Sequence, residues 1–334
     1  MLDCLLRQIY TGIIKNILLF NLGREYMKQR NTLLELWRFF FCMAVLALHF
    51  FNQTNLDYFH AGYLGVEFFF LVSSYFIGAY YDKSQNGQPF SARLKSVFSY
   101  CGTRIKRLYP FYLLALFLML CVRTLISPHP TLPGVLTTLK NCFAEFLMLQ
   151  WTPLGNGVLI SAGWFVPAVF WGGLFFVLLL ALTGKFGGYV LSPLISFLIY
   201  RYYFNLIGKI DVIFSYHSVL RGIAGIGFGV FLYFLCGRLR AWVANRRNSV
   251  FISGLFCIFA SLLFLCLFLY TNYGHRSKWD FLIIALYGIG LLFLMSGFLK
   301  LPEPVNRLFL FLGKLTYPIY IFQMPVIELI FAAL

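Results

Sequence analysis

The sequence predicts an all-α membrane protein: a polytopic transmembrane helix bundle of about nine spans, plus one interfacial or re-entrant helix. Three observations carry this prediction. The 334-residue chain is 60% hydrophobic and only 11% charged, and it contains 40 phenylalanines. Apolar runs of about 18 residues or more recur along the chain, each long enough to cross a bilayer. The basic residues cluster in short segments between these runs, as is typical of membrane topology.

The charge balance and the cysteines narrow the function classes. A net charge of +16 is compatible with nucleic-acid binding, but its distribution between apolar runs favours contact with membrane lipid instead. The eight cysteines are scattered, without a CxxC motif, and most lie within apolar runs as small packing residues. The sequence therefore predicts no nucleic-acid partner, no disulfide framework and no metal site.

Nine stretches have the length and composition of membrane-crossing helices. They are residues 33–51, 63–81, 108–126, 162–182, 187–204, 217–236, 250–270, 279–299 and 307–332. Segment 136–151 is shorter and carries Lys140 and Glu145, which are costly in lipid. We therefore expect it to form the interfacial or re-entrant helix.

Loop charges predict the orientation of the bundle. Lys28 and Arg30 precede the first span, six basic residues occupy loop 82–107, and four arginines occupy loop 237–249. All fall on one side if segment 136–151 does not cross, so we expect a cytoplasmic N-terminus and an outer C-terminus.

The first 29 residues differ from the rest, and we treat residues 30–334 as the membrane domain. Apolar residues recur in the N-terminal segment at helical spacing with basic residues between them. This pattern fits an amphipathic interfacial extension, and a disordered extension is the alternative. An alternative left open by the sequence is that translation starts at Met27.

Arg38 and His49 lie inside the first apolar run and are the main candidates for a functional site. Charged residues within a span usually face the bundle interior and serve a site. Eleven residues correspond to about three helical turns, so the two side chains share one helix face, roughly 16 Å apart along the axis. This face suits a long anionic ligand whose reactive end lies at the histidine.

Two carboxylates are candidate partners for these residues. Glu67 opens the second span, and the short loop between the first two spans places it at a depth similar to that of His49. A carboxylate bound to one imidazole nitrogen would leave the other nitrogen as a base. Glu35 lies three residues before Arg38, so these two side chains can pair on one helix.

A basic cluster of Arg104, Lys106 and Arg107 precedes the third predicted span. Positive charge at this place is expected from topology alone. The functional interpretation is a cytoplasmic pocket in which arginines hold phosphate groups. Arg221, early in the sixth span, has no role assigned from the sequence.

These motifs resemble acyltransferase family 3 of bacterial membrane proteins. The resemblance is carried by Arg38-x10-His49, by GYLGVEFFFLVSSYFI, and by Arg104-x-x-Arg107-LYP. GWFVPAVFW (163–171) and GKLTYPIYIFQMPV (313–326) resemble later signatures of that family. The likeness covers about residues 30–332 in order.

The resemblance implies an enzyme of the bacterial cytoplasmic membrane. Members transfer an acyl group, commonly acetyl, from cytoplasmic acyl-CoA to a hydroxyl of a surface polysaccharide, a lipid-linked glycan precursor or a small acceptor. Carried over to this chain, His49 matches the family's catalytic histidine, whereas Glu67 is assigned as its catalytic partner from its position alone. Arg38, Arg104 and Arg107 bind the acyl-CoA co-substrate.

The chain departs from the family pattern at several positions. Ser74 stands where glycine is usual, Val169 stands near a common glutamate, and Gln323 replaces a usual histidine. Most members have another span after this last signature, so we expect a variant C-terminal edge.

Two other functions remain open at the level of sequence. A transporter or flippase of a lipid-linked or anionic substrate would also carry charges within its spans, although no internal repeat is evident. A catalytically inactive member in a glycan-assembly complex is the other alternative. The sequence leaves the acceptor, the acyl chain and the oligomeric state undetermined.

Overall fold

The computed structural model describes residues 31–54, 56–127, 131–150, 157–213 and 216–334. Within these ranges the chain forms eleven α-helices, and nine helical segments are long and apolar enough to cross a membrane. The helices are α1 (Thr32–Phe51), α2 (Leu64–Ser84), α3 (Phe90–Ile126), α4 (Leu132–Asn141), α5 (Phe143–Phe146), α6 (Phe165–Thr183), α7 (Ser192–Tyr202), α8 (His217–Ala244), α9 (Ser249–Tyr273), α10 (Trp279–Ser296) and α11 (Glu303–Ala333). The predicted helical bundle is confirmed. The expected N-terminal extension, 1–29, lies outside the described residues.

The third span corrects the predicted boundaries. Helix α3 begins at Phe90 rather than at residue 108, so most of the expected basic loop 82–107 is helical. Its 37 residues correspond to about 55 Å, well beyond the roughly 30 Å of a bilayer core. Lysine and arginine are good helix formers, so the helix continues into its basic segment. Arg104 and Arg107 consequently lie about one turn apart on the same helix.

Segment 136–151 does not form a span in the described chain. It contributes to two short helices, α4 and α5, which meet at Cys142. The expectation of a short non-crossing segment is confirmed, but the segment is not one continuous helix. Glu145 of α5 is completely buried, and its carboxylate is accommodated because backbone N–H groups donate to it.

Helix α2 lies at the centre of the bundle and packs closely on α8. Two glycines of α8 permit this approach. A methyl group at Gly225 would lie 2.7 Å from Cβ of Phe70, and one at Gly229 would overlap Oγ of Ser74. Small residues allow membrane helices to pack backbone against backbone. Ser74 is accommodated because Gly229 faces it.

Helices α1 and α11 pack side by side and run in the same direction. The Cys42 thiol donates to the backbone carbonyl of Thr316 at 3.3 Å. Further along both helices, the ring centroids of Phe50 and Phe331 are 5.5 Å apart. Because residue numbers rise together along the contact, the first and last spans cross in the same direction, as an odd number of crossings requires.

Candidate functional site

A cavity between α1, α2, α3, α6 and α11 brings together the three arginines predicted to bind an anion. Arg38 reaches it from α1, and Arg104 and Arg107 reach it from α3. The space open to the centres of water molecules is about 80 Å³, enough for several waters or for part of a larger ligand. Its described lining residues include these three arginines and no carboxylate, so the cavity favours negative charge.

The rest of the cavity wall is apolar, aromatic or hydroxylic. Phe69 of α2, Val169 of α6 and Tyr320 of α11 are representative lining residues. Val169, which stands near the position of a usual family glutamate, therefore adds no charge to the wall. A ligand with an anionic end and an apolar arm fits this division.

Arg38 is held in position by Glu35. Its Nη1 donates to Oε2 of Glu35 at 2.6 Å, which confirms the predicted pair. The side chain of Glu35 is 3% exposed and that of Arg38 is 14% exposed. Gly313 of α11 lies against Glu35, because a methyl group there would approach Oε2 to 2.0 Å. The last span thereby fixes the arginine at the cavity.

The other two arginines belong to a helix face that α11 also contacts. The guanidinium of Arg104 lies over the ring of Tyr100 at 5.0 Å. The hydroxyl of Tyr317, on α11, donates to the backbone carbonyl of Leu108 at 2.7 Å. This bond ties α3 to α11 one residue beyond Arg107, so the cavity walls are joined across the spans.

Glu67 does not pair with His49, which corrects the sequence prediction. Its Oε1 accepts from Nε of Arg221 at 2.5 Å, and both side chains are fully buried. Its Oε2 accepts from the hydroxyl of Tyr200 at 3.5 Å. Burying a carboxylate is costly unless it is paired and hydrogen-bonded, and a guanidinium always carries the pairing charge, whereas an imidazole carries it only when protonated.

Arg221 is the centre of a buried ionic cluster that the sequence did not reveal. Its Nη1 donates to Asp211 at 3.0 Å, and its Nη2 donates to the carbonyl of Tyr63 at 3.3 Å. Its guanidinium also lies 4.8 Å from the centre of the Trp164 ring. Asp211 binds Arg276 at 2.6 Å as well. Burial opposes ionisation of Asp211, but these two arginines hold its pKa below the ordinary value.

The signal for this cluster was an arginine inside an apolar run, and its partners were not recognisable from the sequence. Glu67 lies 154 residues away from Arg221 along the chain. Helix packing alone joins them. Arg276 and Lys278 lie between α9 and α10, in a loop that the predicted orientation puts on the outer side. The ion pair of Arg276 with Asp211 explains one of these charges.

His49 lies in the last turn of α1 and is half-buried. Its ring makes no hydrogen bond or ion pair with another described residue, and it interacts electrostatically with Asp211. His49 is not among the residues that line the arginine cavity. The structure thus places Arg38 in the cavity and His49 further along the same helix, towards the ionic cluster.

Glu145 is another buried acid, and the sequence assigned it no role in a site. Its two carboxylate oxygens accept from the backbone N–H groups of Leu159 and Ile160, at 2.5 and 3.1 Å. Burial raises its pKa to about 7 although both hydrogen bonds oppose the shift. Glu145 therefore fixes the chain just before the fourth span. The hydroxyl of Tyr320 in turn binds the carbonyl of Ala162 at 2.7 Å.

The helices and the cationic cavity between them define a polytopic membrane protein suited to an anionic ligand with an apolar arm. A family model described as an acyltransferase domain matches residues 31–334, so the chain belongs to acyltransferase family 3. The family resemblance seen in the sequence is confirmed, and membership supports acyl transfer as the reaction class. No curated protein and no solved structure matches the chain.

Proposed function

We propose that the protein transfers an acyl group, most commonly acetyl, from cytoplasmic acyl-CoA to a hydroxyl of a cell-surface polysaccharide or its lipid-linked precursor. The convergence of Arg38, Arg104 and Arg107 on one cavity, in a member of an acyltransferase family, carries this proposal. Family membership supports the reaction class, and the three arginines support a binding site for a polyanionic donor.

The donor binds with its phosphates at the arginines. Guanidinium groups recognise phosphate oxygens through paired hydrogen bonds, which gives geometry as well as charge. The cavity is too small for a whole CoA molecule. It therefore holds the phosphate end or the adjoining arm, while the thioester extends along α1.

His49 acts as the general base at the reactive end. It removes the proton from the acceptor hydroxyl, the resulting oxygen attacks the thioester carbonyl, and CoA leaves as the thiolate. Eleven residues of helix separate His49 from Arg38, roughly 16 Å, and the flexible arm of CoA spans such a distance. Glu67 contributes by positioning the outer half of the bundle through Arg221 rather than by orienting the imidazole.

The protein resides in the bacterial cytoplasmic membrane, with its N-terminus in the cytoplasm and its C-terminus outside. Nine segments of the described chain are long and apolar enough to cross the membrane, and helices α4 and α5 are too short to do so. An odd number of crossings puts the two termini on opposite sides, which supports this orientation. The orientation brings the arginines near the cytoplasmic donor and His49 near the outer face, where a glycan acceptor is found.

Acyl transfer by purified protein tests the proposal. Protein in lipid nanodiscs is given labelled acetyl-CoA and a glycan acceptor from the host envelope, and the label on the glycan is measured. We expect transfer by the wild type and a reduction of about 10²–10⁴-fold in His49→Ala, the usual contribution of a general base. Transport of the glycan without acylation would instead support a flippase, and normal transfer by His49→Ala would refute the assigned base.

A further inference from the structure

Gln323 of α11 is a buried amide without a partner in the described chain. The residue is 3% exposed. Neither its Nε2 nor its Oε1 makes a hydrogen bond with any described residue. Buried side-chain amides are nearly always hydrogen-bonded, and an exception in a native fold calls for an explanation. One explanation is that the partner is a ligand.

The position of Gln323 links it to the arginine cavity. Thr316, Tyr320 and Gln323 follow one another at spacings of four and three residues, so they share one face of α11. Thr316 and Tyr320 line the cavity. The hydroxyl of Thr316 is also buried without a partner among the described residues. Among the described residues, this face therefore carries two unpaired polar groups, Thr316 in the cavity wall and Gln323 beyond the lining residues, while the hydroxyl of Tyr320 between them binds the carbonyl of Ala162.

The contacts between α1 and α11 place Gln323 between the arginines and the level of His49. Near the arginines, Cys42 binds the carbonyl of Thr316. Further along both helices, the ring of Phe50 lies against that of Phe331, with centroids 5.5 Å apart. His49 directly precedes Phe50, so its level on α11 lies beyond Gln323. The amide consequently lies further along the helices than the arginines and short of the imidazole.

We propose that Gln323 binds the acyl thioester itself, with Nε2 donating a hydrogen bond to the thioester carbonyl oxygen. This inference rests on the function proposed above and supplies the oxyanion donor that the motifs did not reveal. When His49 takes the proton of the acceptor hydroxyl, the new C–O bond forms and the carbonyl oxygen becomes negative. The C–S bond then breaks, and the CoA thiolate receives the proton from His49.

A neutral amide suits this role at a buried position. It stabilises the developing oxyanion without carrying a permanent charge through the membrane. An amide donor aimed at the transition state acts on the rate of the chemical step, whereas the arginines act on donor binding. Gln323 and the arginine cavity are therefore separable by kinetics.

The test compares Gln323→Met with Gln323→His and with Gln85→Met. Gln85 is the matched control, because its buried Nε2 donates to Ser96 and to the carbonyl of Val177. We expect Gln323→Met to lower kcat by about 10²-fold or more, the usual effect of removing an oxyanion donor. The KM for acetyl-CoA and the affinity for the donor should not change. Gln323→His retains an N–H donor and should recover part of kcat.

Thermal unfolding separates a catalytic amide from a structural one. Gln323→Met should melt at the wild-type temperature or above it, whereas Gln85→Met should melt lower. Unchanged kcat in Gln323→Met would overturn the inference, and so would a loss of stability like that of Gln85→Met. Absence of transfer by the wild type would refute the proposed function and this inference together, so the two failures are distinguishable.

Discussion

The two arginine-rich regions of this bundle differ in how their charges are compensated. In the ionic cluster, Arg221 lies fully buried between two carboxylates, Glu67 and Asp211. In the cavity, three arginines line one space; Glu35 pairs with Arg38 from outside this lining, and the described lining residues include no carboxylate. Buried charges that are fully paired hold helices together, whereas a concentration of one sign is suited to an incoming ligand of the other. The same residue type is thus fully paired in one half, whereas in the other it lines a cavity for which we propose a binding role.

The largest expected effect comes from breaking the cluster. Arg221→Met leaves Glu67 and Asp211 buried without their shared cation, and removal of one partner of a buried ion pair costs about 3–5 kcal/mol. Denaturant unfolding in detergent measures this loss. Arg276→Ala is the control, because its side chain is 45% exposed and exposed pairs contribute at most about 1 kcal/mol. Equal stability of both variants would show that the cluster is not structural.

Glu145 is a buried acid whose partners are backbone N–H groups instead of a guanidinium. Its folded pKa of about 7 exceeds the ordinary value of 4.5. Its stabilising contribution is therefore complete below pH 4.5 and is lost as the pH rises through 7. The free energy of unfolding should fall by about 3 kcal/mol over this interval.

Glu145→Gln should flatten this pH dependence, because the amide does not titrate. Denaturant unfolding at several pH values between 4 and 8 measures the slope in both proteins. A slope that persists in Glu145→Gln would assign the titration to another group. Asp211, held ionised by two arginines, should contribute in the opposite direction, with stability lost only at acid pH.

Substitution of a cavity arginine should weaken binding of acetyl-CoA, with little change in the stability of the fold. Arg104→Ala removes a charged hydrogen bond to the donor, worth about 1.5–3 kcal/mol, or roughly 10- to 150-fold in affinity for acetyl-CoA. Lys106→Ala is the matched control: it removes one charge from the same helix, but the side chain is exposed and does not line the cavity. Binding is measured by calorimetry in nanodiscs. Equal losses of affinity in both variants would indicate that Arg104 does not bind the donor and that its charge reflects membrane topology alone.

The smallest expected effect comes from displacing Glu35, the carboxylate that holds Arg38 in position. Gly313→Ala inserts a methyl group where Oε2 of Glu35 now lies. Glu35 must shift, and overpacking of this kind costs about 1–3 kcal/mol. We expect a modest drop in melting temperature together with a weaker affinity for acetyl-CoA, because Arg38 loses its fixed position. Unchanged donor affinity would show that the Glu35 pair does not position the cavity arginine.

Much of the fold was predictable because hydropathy and spacing are local properties of a sequence. Nine apolar runs predicted the nine spans, and helical periodicity placed Glu35 beside Arg38. The boundary of α3 was missed for the same reason: a basic segment reads as a loop by hydropathy, although it continues a helix in water. Similarly, the resemblance of short motifs to a family was recognisable without any contact being known.

The sequence by itself determined that this protein is a helical membrane bundle, and it pointed to Arg38, Arg104 and Arg107 as anion ligands. Only the tertiary structure brought these three arginines into one cavity, paired Glu67 with Arg221 instead of His49, and left the amide of Gln323 without a partner among the described residues. The physical reason is that a span is a property of about 20 consecutive residues. The partner of a buried charge is decided by which helices pack together, here across 154 residues of chain.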